Sequence, residues 1–250
     1  MDQFTKASIN LHAILRNLED LCQMDQEAHS LIKDKKLTIQ FNVKGGINGS
    51  LSINQGQITY QEGTRPCDIK LYFSSPEHLN GMFDGAKTPI PLKGFGKIGF
   101  LQKEFTKLTD RLAYFLKPTD ELLSDPEYFK INTYLTAYTA FFALAQIANH
   151  DALGRINAQR VPDGIINIAA NEGPAMRLII KSGHVEARKG LSDHPRAIMQ
   201  FGDLKVANDV LNGKSDIYTA IGEDKFNLRG FIPMLDNLNK ILDQVPGYVQ

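Results

Sequence analysis

FGDLKVANDVLNGKSDIYTAIGEDKFNLRGFIPMLDNLNKILDQV, residues 201–245, decides how the rest of the chain is read. Leu204, Ala207, Val210 and Leu211 fall at helical spacing, and Gly213 stands where a helix ends on a left-handed glycine. Two short alternating runs follow, Asp216–Ile221 and Lys225–Leu228, which predict a hairpin turning at Gly222-Glu-Asp. Gly230 then opens a long helix. Phe231, Leu235, Leu238, Leu242 and Val245 lie four, three, four and three residues apart, so they form one apolar stripe.

Upstream, residues 4–33 read as one helix with Ile9, Leu11, Ile14, Leu15, Leu18 and Cys22 on a broad face. Leu37–Val43 alternates with the strand period, Gly45-Gly46 is a turn, and Leu51–Ile53, Ile58–Tyr60 and Asp68–Ser74 continue the strands. Pro76 suits the first turn of a short helix that ends near Gly85. Thr88–Leu92 and Lys97–Phe100 read as weak strands. A second long helix from Leu101 carries Leu101, Phe105, Leu108, Leu112 and Phe115, again at steps of four, three, four and three.

These punctuation marks recur. Gly56 and Gly183 are 127 apart, as are Gly63 and Gly190; Gly85 and Gly213 are 128 apart, and Gly99-Phe100 and Gly230-Phe231 are 131 apart. A near-constant offset close to half the length is the mark of an internal repeat. It divides the chain into units at 1–118 and 126–250, joined by a connector at 119–125 with prolines at its flanks. In the second unit a helix over Tyr128–Asn149 takes the first position, Asp151–Asp163 is polar and irregular, and strands follow at Ile165–Ala169, Met176–Ile180, His184–Arg188 and Arg196–Phe201. The expected class is α+β, each unit a mostly antiparallel sheet covered by helices.

The order of helix, strand pair, Gly-Phe and apolar helix resembles the C-terminal half of a sterol carrier protein (sterol-binding) domain, best over 176–245 and more weakly over 50–116. That resemblance implies a non-enzymatic carrier that holds a fatty acid, acyl thioester, sterol or similar lipid between sheet and C-terminal helix. Carried over, the wall residues are Phe201, Leu211, Phe231, Met234, Leu235 and Leu238 in the second unit. In the first they are Phe73, Phe83, Phe100, Leu101 and Phe105. Each methylene moved from water into such a space gains about 0.8 kcal/mol, so no charged anchor is required. In the first unit the segment Gly85–Phe100 is two to three residues shorter than its counterpart and contains Pro89 and Pro91, which points to a closed or altered pocket there and to binding chiefly in the second unit. The alternative is an accessory or interaction module that keeps the fold with filled cores and binds a protein partner. A Leu/Phe stripe at helical spacing fits a filled core equally well.

Composition narrows the field. Hydrophobic residues make up 42% and charged residues 22%, with 28 basic against 28 acidic side chains, which argues against a nucleic-acid partner. Cys22 and Cys67 read as buried free thiols. The N-terminus lacks a signal-peptide layout, so a cytoplasmic location is expected. Residues 131–149 carry no charge but too many regular polar positions for a membrane span, and read as a buried amphipathic helix. No histidine stands at metal-ligand spacing and no catalytic motif is present, so no cofactor is expected. Gly94-Phe-Gly96-Lys-Ile-Gly99 matches G-x-G-x-x-G but lacks a βαβ setting, and is read as a hairpin turn. Between Lys87 and Lys117 six lysines and Arg111 face only Glu104 and Asp110. Helix 101–117 is therefore basic on one side and apolar on the other, a pattern that can touch an anionic membrane surface.

Overall fold

A computed structural model describes residues 1–249 and divides the chain into two compact units, Met1–Lys117 and Pro118–Gln250. Residues 119–125 go with the second unit and contain a single 3₁₀ turn, Leu122–Ser124.

In the first unit, β1 (Lys36–Val43), β2 (Asn48–Asn54), β3 (Gln57–Glu62), β4 (Ile69–Phe73) and β5 (Ile90–Lys93) form one sheet in the order β3-β2-β1-β4-β5. In the second, β6 (Gly164–Ala170), β7 (Ala175–Lys181), β8 (His184–Lys189), β9 (Ala197–Phe201) and β10 (Phe226–Gly230) stand in the order β8-β7-β6-β9-β10. The two orders are the same. Each sheet is antiparallel except for one central pair, β1 with β4 and β6 with β9. The fold is α+β, two five-stranded sheets each packed against helices.

Two polar devices also recur. An amide in the middle of the central strand pins the loop after the third strand: Gln40 accepts from Arg65 N–H and donates to the Gly63 carbonyl, and Asn167 exchanges both bonds with Ser192. A buried asparagine on the short helix ties that helix to the first one. Asn10 donates to Asn80 of α4 (Pro76–Phe83) at 3.0 Å, and Asn208 of α9 (Leu204–Leu211) donates to Asn132 at 2.8 Å. Buried polar groups are tolerated when bonded to each other, and here the bonds fix where the short helix sits.

Several sequence expectations fail for identifiable reasons. The first helix is not continuous over 4–33: α1 (Gln3–Ile9), a π turn (Asn10–Ile14), a 3₁₀ turn (Leu15–Asn17) and α2 (Leu18–Met24) run on, but Asp25 leaves the helix and caps α3 (Gln26–Ile32) by accepting from Ala28 N–H. Residues 97–100 are helical, not a strand. Gly94 turns the chain with φ +88°, and α5 (Ile98–Phe100), a π turn (Leu101–Phe105) and α6 (Thr106–Leu116) follow as one rod. The glycines of 94–99 therefore join a strand to a helix rather than form a hairpin, and β5 is an antiparallel edge strand, not the parallel strand of a dinucleotide site. Residues 126–150 form α7 (Pro126–His150), buried nearly all round rather than amphipathic. No helix among the described residues is long and apolar enough to cross a membrane. Asp151–Asp163 is not irregular, since Asp151 caps α8 (Ala152–Ala158). The expected strand 216–221 is α10 (Ile217–Gly222), because Asp216 accepts from Thr219 N–H, and a cap overrides a short alternation. Gly230 ends β10 and α11 (Ile232–Leu242) follows, before a last short helix α12 (Val245–Val249). The buried stripe there is Met234, Leu235, Leu238, Ile241 and Val245; Phe231 and Leu242 lie off it.

Gly230 also has a different counterpart. Gly94 (φ +88°) and Gly230 (φ +89°) both close the fifth strand against the residue before the fourth, and a Cβ at either would run into the carbonyl oxygen of Asp68 or Arg196. The equivalent of Gly230 is therefore Gly94 and not Gly99. Gly94 lies nine positions after Gly85, and Gly230 lies 17 positions after Gly213. The first unit is thus eight residues shorter here, not two or three, and what it lacks is α10.

Candidate functional site

The first unit contains a cavity of about 770 Å³, within the usual ~300–1,000 Å³ range of ligand pockets. Its floor is Phe41 of β1 and Leu71 of β4, side by side in the parallel register. One wall is the rod 98–116, which presents Ile98, Leu101, Phe105, Leu112 and Leu116. The facing wall is Met82 and Phe83 at the end of α4 with Pro89 and Pro91 of the edge segment, and Ile14 and Leu15 close the far side. Lys87, Thr88, Gln102, Thr106 and Asp110 also line it, and all five are exposed, which puts them at the rim.

The space exists because of the edge strand. Leu71 pairs with Pro91 as its counterpart Met199 pairs with Leu228, so Pro89 falls where the second unit has Phe226. Phe226 is 1% exposed with its ring 4.6 Å from that of Phe201. The two prolines put compact rings where the second unit puts a phenyl group and a leucine.

On the other side the rod is fastened by charge. Arg111 donates twice to Asp25, at 2.8 and 2.9 Å, and pairs with Glu27; Lys35 pairs with Glu104 at 3.0 Å. Although desolvation pushes the Asp25 carboxyl up, the Arg111 hydrogen bond and the Ala28 N–H win and hold it below its ordinary value. Both π turns of this unit border the cavity, one ending at Ile14 and one supplying Leu101 and Phe105. Such turns mark functional places more often than plain helix does. The helices α7 and α11 of the second unit are α throughout.

In the second unit the counterpart residues between sheet and helix are buried. Phe201, Met234, Leu235 and Leu238 are at most 3% exposed. A small void of about 10 Å³, room for one water at most, touches Phe201 and Leu211. Phe231 is 38% exposed beneath the Arg196 guanidinium, 4.4 Å from its ring centre. Of the residues expected in the first unit, Phe83, Leu101 and Phe105 are brought together on the cavity. Phe73 is wholly buried against His78 and Phe100 packs on Phe105, so neither is on the wall. Sequence reasoning missed Phe41, Leu71, Met82 and Ile98. It noted Pro89 and Pro91 but took them as a sign of a closed or altered pocket and set the binding chiefly in the second unit.

Among the described residues no group of three or more His, Cys, Asp or Glu is placed to hold a metal ion. Cys22 is a buried free thiol that burial, with Asp25 nearby, pushes up to about 12, whereas Cys67 is only half-buried.

No family model and no curated protein matches the chain. Solved structures do. A sterol carrier protein domain 2 from Helicoverpa armigera is 15% identical, covering 46% of this chain and 91% of its own, with a TM-score of 0.37. Sterol Carrier Protein 2 from Yarrowia lipolytica in its apo form is 14% identical over 44% and 91% of the two chains, TM-score 0.34. The ubiquinone synthesis protein UbiJ-SCP2 is 12% identical over 44% and 95%, TM-score 0.35. Each spans a little under half of this chain, about the length of one unit.

Proposed function

We propose that the chain is a non-enzymatic carrier that holds one elongated apolar ligand, a fatty acid, an acyl thioester or a similar lipid, in the first unit between the sheet and the rod 98–116. The observation that carries this reading is the 770 Å³ cavity, whose walls are aliphatic and aromatic and whose charged residues stand at the rim. Ten methylenes taken out of water gain about 8 kcal/mol. That exceeds the lower end of the roughly 4–15 kcal/mol that association costs, so an acyl chain can be held by burial alone. Lys87 and Asp110 at the rim leave the headgroup in solvent. A cytoplasmic setting belongs to this reading.

For the second unit a different observation favours a different role. Its expected wall residues Phe201, Met234, Leu235 and Leu238 are buried, and the void of about 10 Å³ beside Phe201 and Leu211 admits no lipid, so we read this unit as a module that keeps the fold and offers its surface to a protein partner. The test is native mass spectrometry of the purified chain before and after organic extraction. One bound lipid of a few hundred daltons per chain supports the proposal. A ligand-free mass that does not change on incubation with fatty acids contradicts it, and two ligands per chain would put a further site in the second unit.

A further inference from the structure

We propose that segment 87–97 of the first unit docks the chain onto an anionic lipid bilayer, with Leu92 and Phe95 as the side chains that enter it; the purpose of the docking, ligand exchange, rests on the carrier reading above. From Gly85 to Lys103 the chain carries four lysines, at 87, 93, 97 and 103, and no acidic residue. The same stretch leaves three large apolar side chains in solvent, Ile90 at 43%, Leu92 at 51% and Phe95 at 64% exposure. Lys97 shares its charge with Asp68 at 2.7 Å; Lys87, Lys93 and Lys103 are in no ion pair among the described residues. Apolar side chains standing among exposed lysines match a surface of anionic headgroups over acyl chains.

The register sets this surface against the cavity. Pro91 pairs with Leu71 and both line the cavity, so Ile90 and Leu92, one residue to either side, point to the opposite face of β5. A wall one strand thick separates the exposed row from the ligand space. That wall is weakly held: it is four residues long, its register with β4 shifts at Lys70/Leu71, and Pro91 has no N–H to give.

Other occupants fit less well. The apolar stripe of the rod is turned inward, with Leu108, Leu112 and Phe115 buried, so helix 101–117 offers a membrane lysines but no apolar face. A second copy pairing along β5 would set Lys93 and Lys97 against their own kind across an edge already short of a donor. An anionic bilayer complements both the charge and the exposed apolar row.

The test uses the full chain sedimented with vesicles of phosphatidylcholine alone or mixed with phosphatidylserine. Binding to the mixed vesicles only, weakened by salt, is expected. Leu92→Ser with Phe95→Ser, both exposed and so tolerated by the fold, should weaken it about tenfold or more. Lys87→Gln with Lys93→Gln should weaken it by about fivefold per lysine, while Lys107→Gln with Lys117→Gln on the rod should do less. Circular dichroism checks that each variant is folded. Undiminished binding by the Leu92/Phe95 variant, loss only with the rod variant, or a dimer that Phe95→Ser dissociates in a chain that ignores vesicles would each overturn the proposal. Uptake of a fluorescent fatty acid in vesicle-free buffer separates the two claims. Uptake without vesicle binding overturns docking and leaves the carrier, and vesicle binding without uptake supports docking and overturns the carrier.

Discussion

Replacing Phe226 by alanine opens, in the second unit, the space that the first unit already has. Phe226 is 1% exposed and its ring lies 4.6 Å from Phe201 at 51°, with Phe201 itself 3% exposed, so the ring is closely packed. Truncations of this kind cost about 3–5 kcal/mol, and the lost ring pair, worth about 0.5–1.5 kcal/mol, places this one in the upper half. The equivalent change in the first unit, Pro89→Ala, removes a half-buried ring beside a cavity that is already open. It should cost about 1 kcal/mol or less, chiefly by loosening the unfolded chain. Two units need not unfold together, so a single melting curve is a poor readout. Native-state hydrogen exchange reports each separately through the amides of β6 and β9 or of β1 and β4. At about 1.4 kcal/mol per tenfold, Phe226→Ala should speed the slowest second-unit amides by about a thousandfold to several thousandfold and leave those of the first unit unchanged. A loss under about 1 kcal/mol, or equal losses for Phe226→Ala and Pro89→Ala, would refute the contrast between a filled and an open unit.

Acid should act on the first unit through Asp25. Its folded carboxyl lies below the ordinary 3.8, so the stability it adds is complete above about pH 5 and is lost as the pH falls through 3.8 towards the lowered folded value. Asp25→Asn should lower first-unit stability at neutral pH and flatten that acid limb, as read by urea denaturation at a series of pH values. Gly94→Ala and Gly230→Ala should each cost more than about 1 kcal/mol, from positive φ and a blocked Cβ. Gly99→Ala, helical with nothing near its Cβ, should be neutral or stabilising by up to about 1 kcal/mol, which also separates the two candidate counterparts of Gly230. Leu101→Glu sets a carboxylate in a half-buried position on the cavity wall, and should cut fatty-acid uptake at least tenfold in a fluorescence titration while changing the melting temperature little.

The strands were legible for two reasons: Leu37–Val43 alternates over its length and buries Leu37, Ile39, Phe41 and Val43 on one face, while Ile165–Ala169 is a mostly apolar run buried on both faces. The short elements were not. At 216–221 and 151–158 one aspartate cap outweighs the pattern of the next few residues, and caps are easily overlooked where alternation is present. The two units followed from glycine spacing, but aligning Gly99 with Gly230 hid an eight-residue gap, because what unites Gly94 and Gly230 is a close approach to another strand's backbone. The same oversight hid the cavity of the first unit. Pro89 and Pro91 were visible as departures, and whether a proline closes a pocket or leaves it open depends on what its counterpart fills, here Phe226 and Leu228. Leu101 and Phe105 were legible because a stripe on a helix must face something, whereas Phe83 came only from the family resemblance. Phe41 and Leu71 escaped because a strand residue that lines a cavity looks like one that packs a core.

The most direct measurement is photolabelling of the full chain with a diazirine-bearing fatty acid, followed by peptide mapping. The account predicts label on the rod 98–116 and on residues 82–91, competed away by unlabelled fatty acid. Competed label confined to 201–245, or none on the first unit, would contradict it.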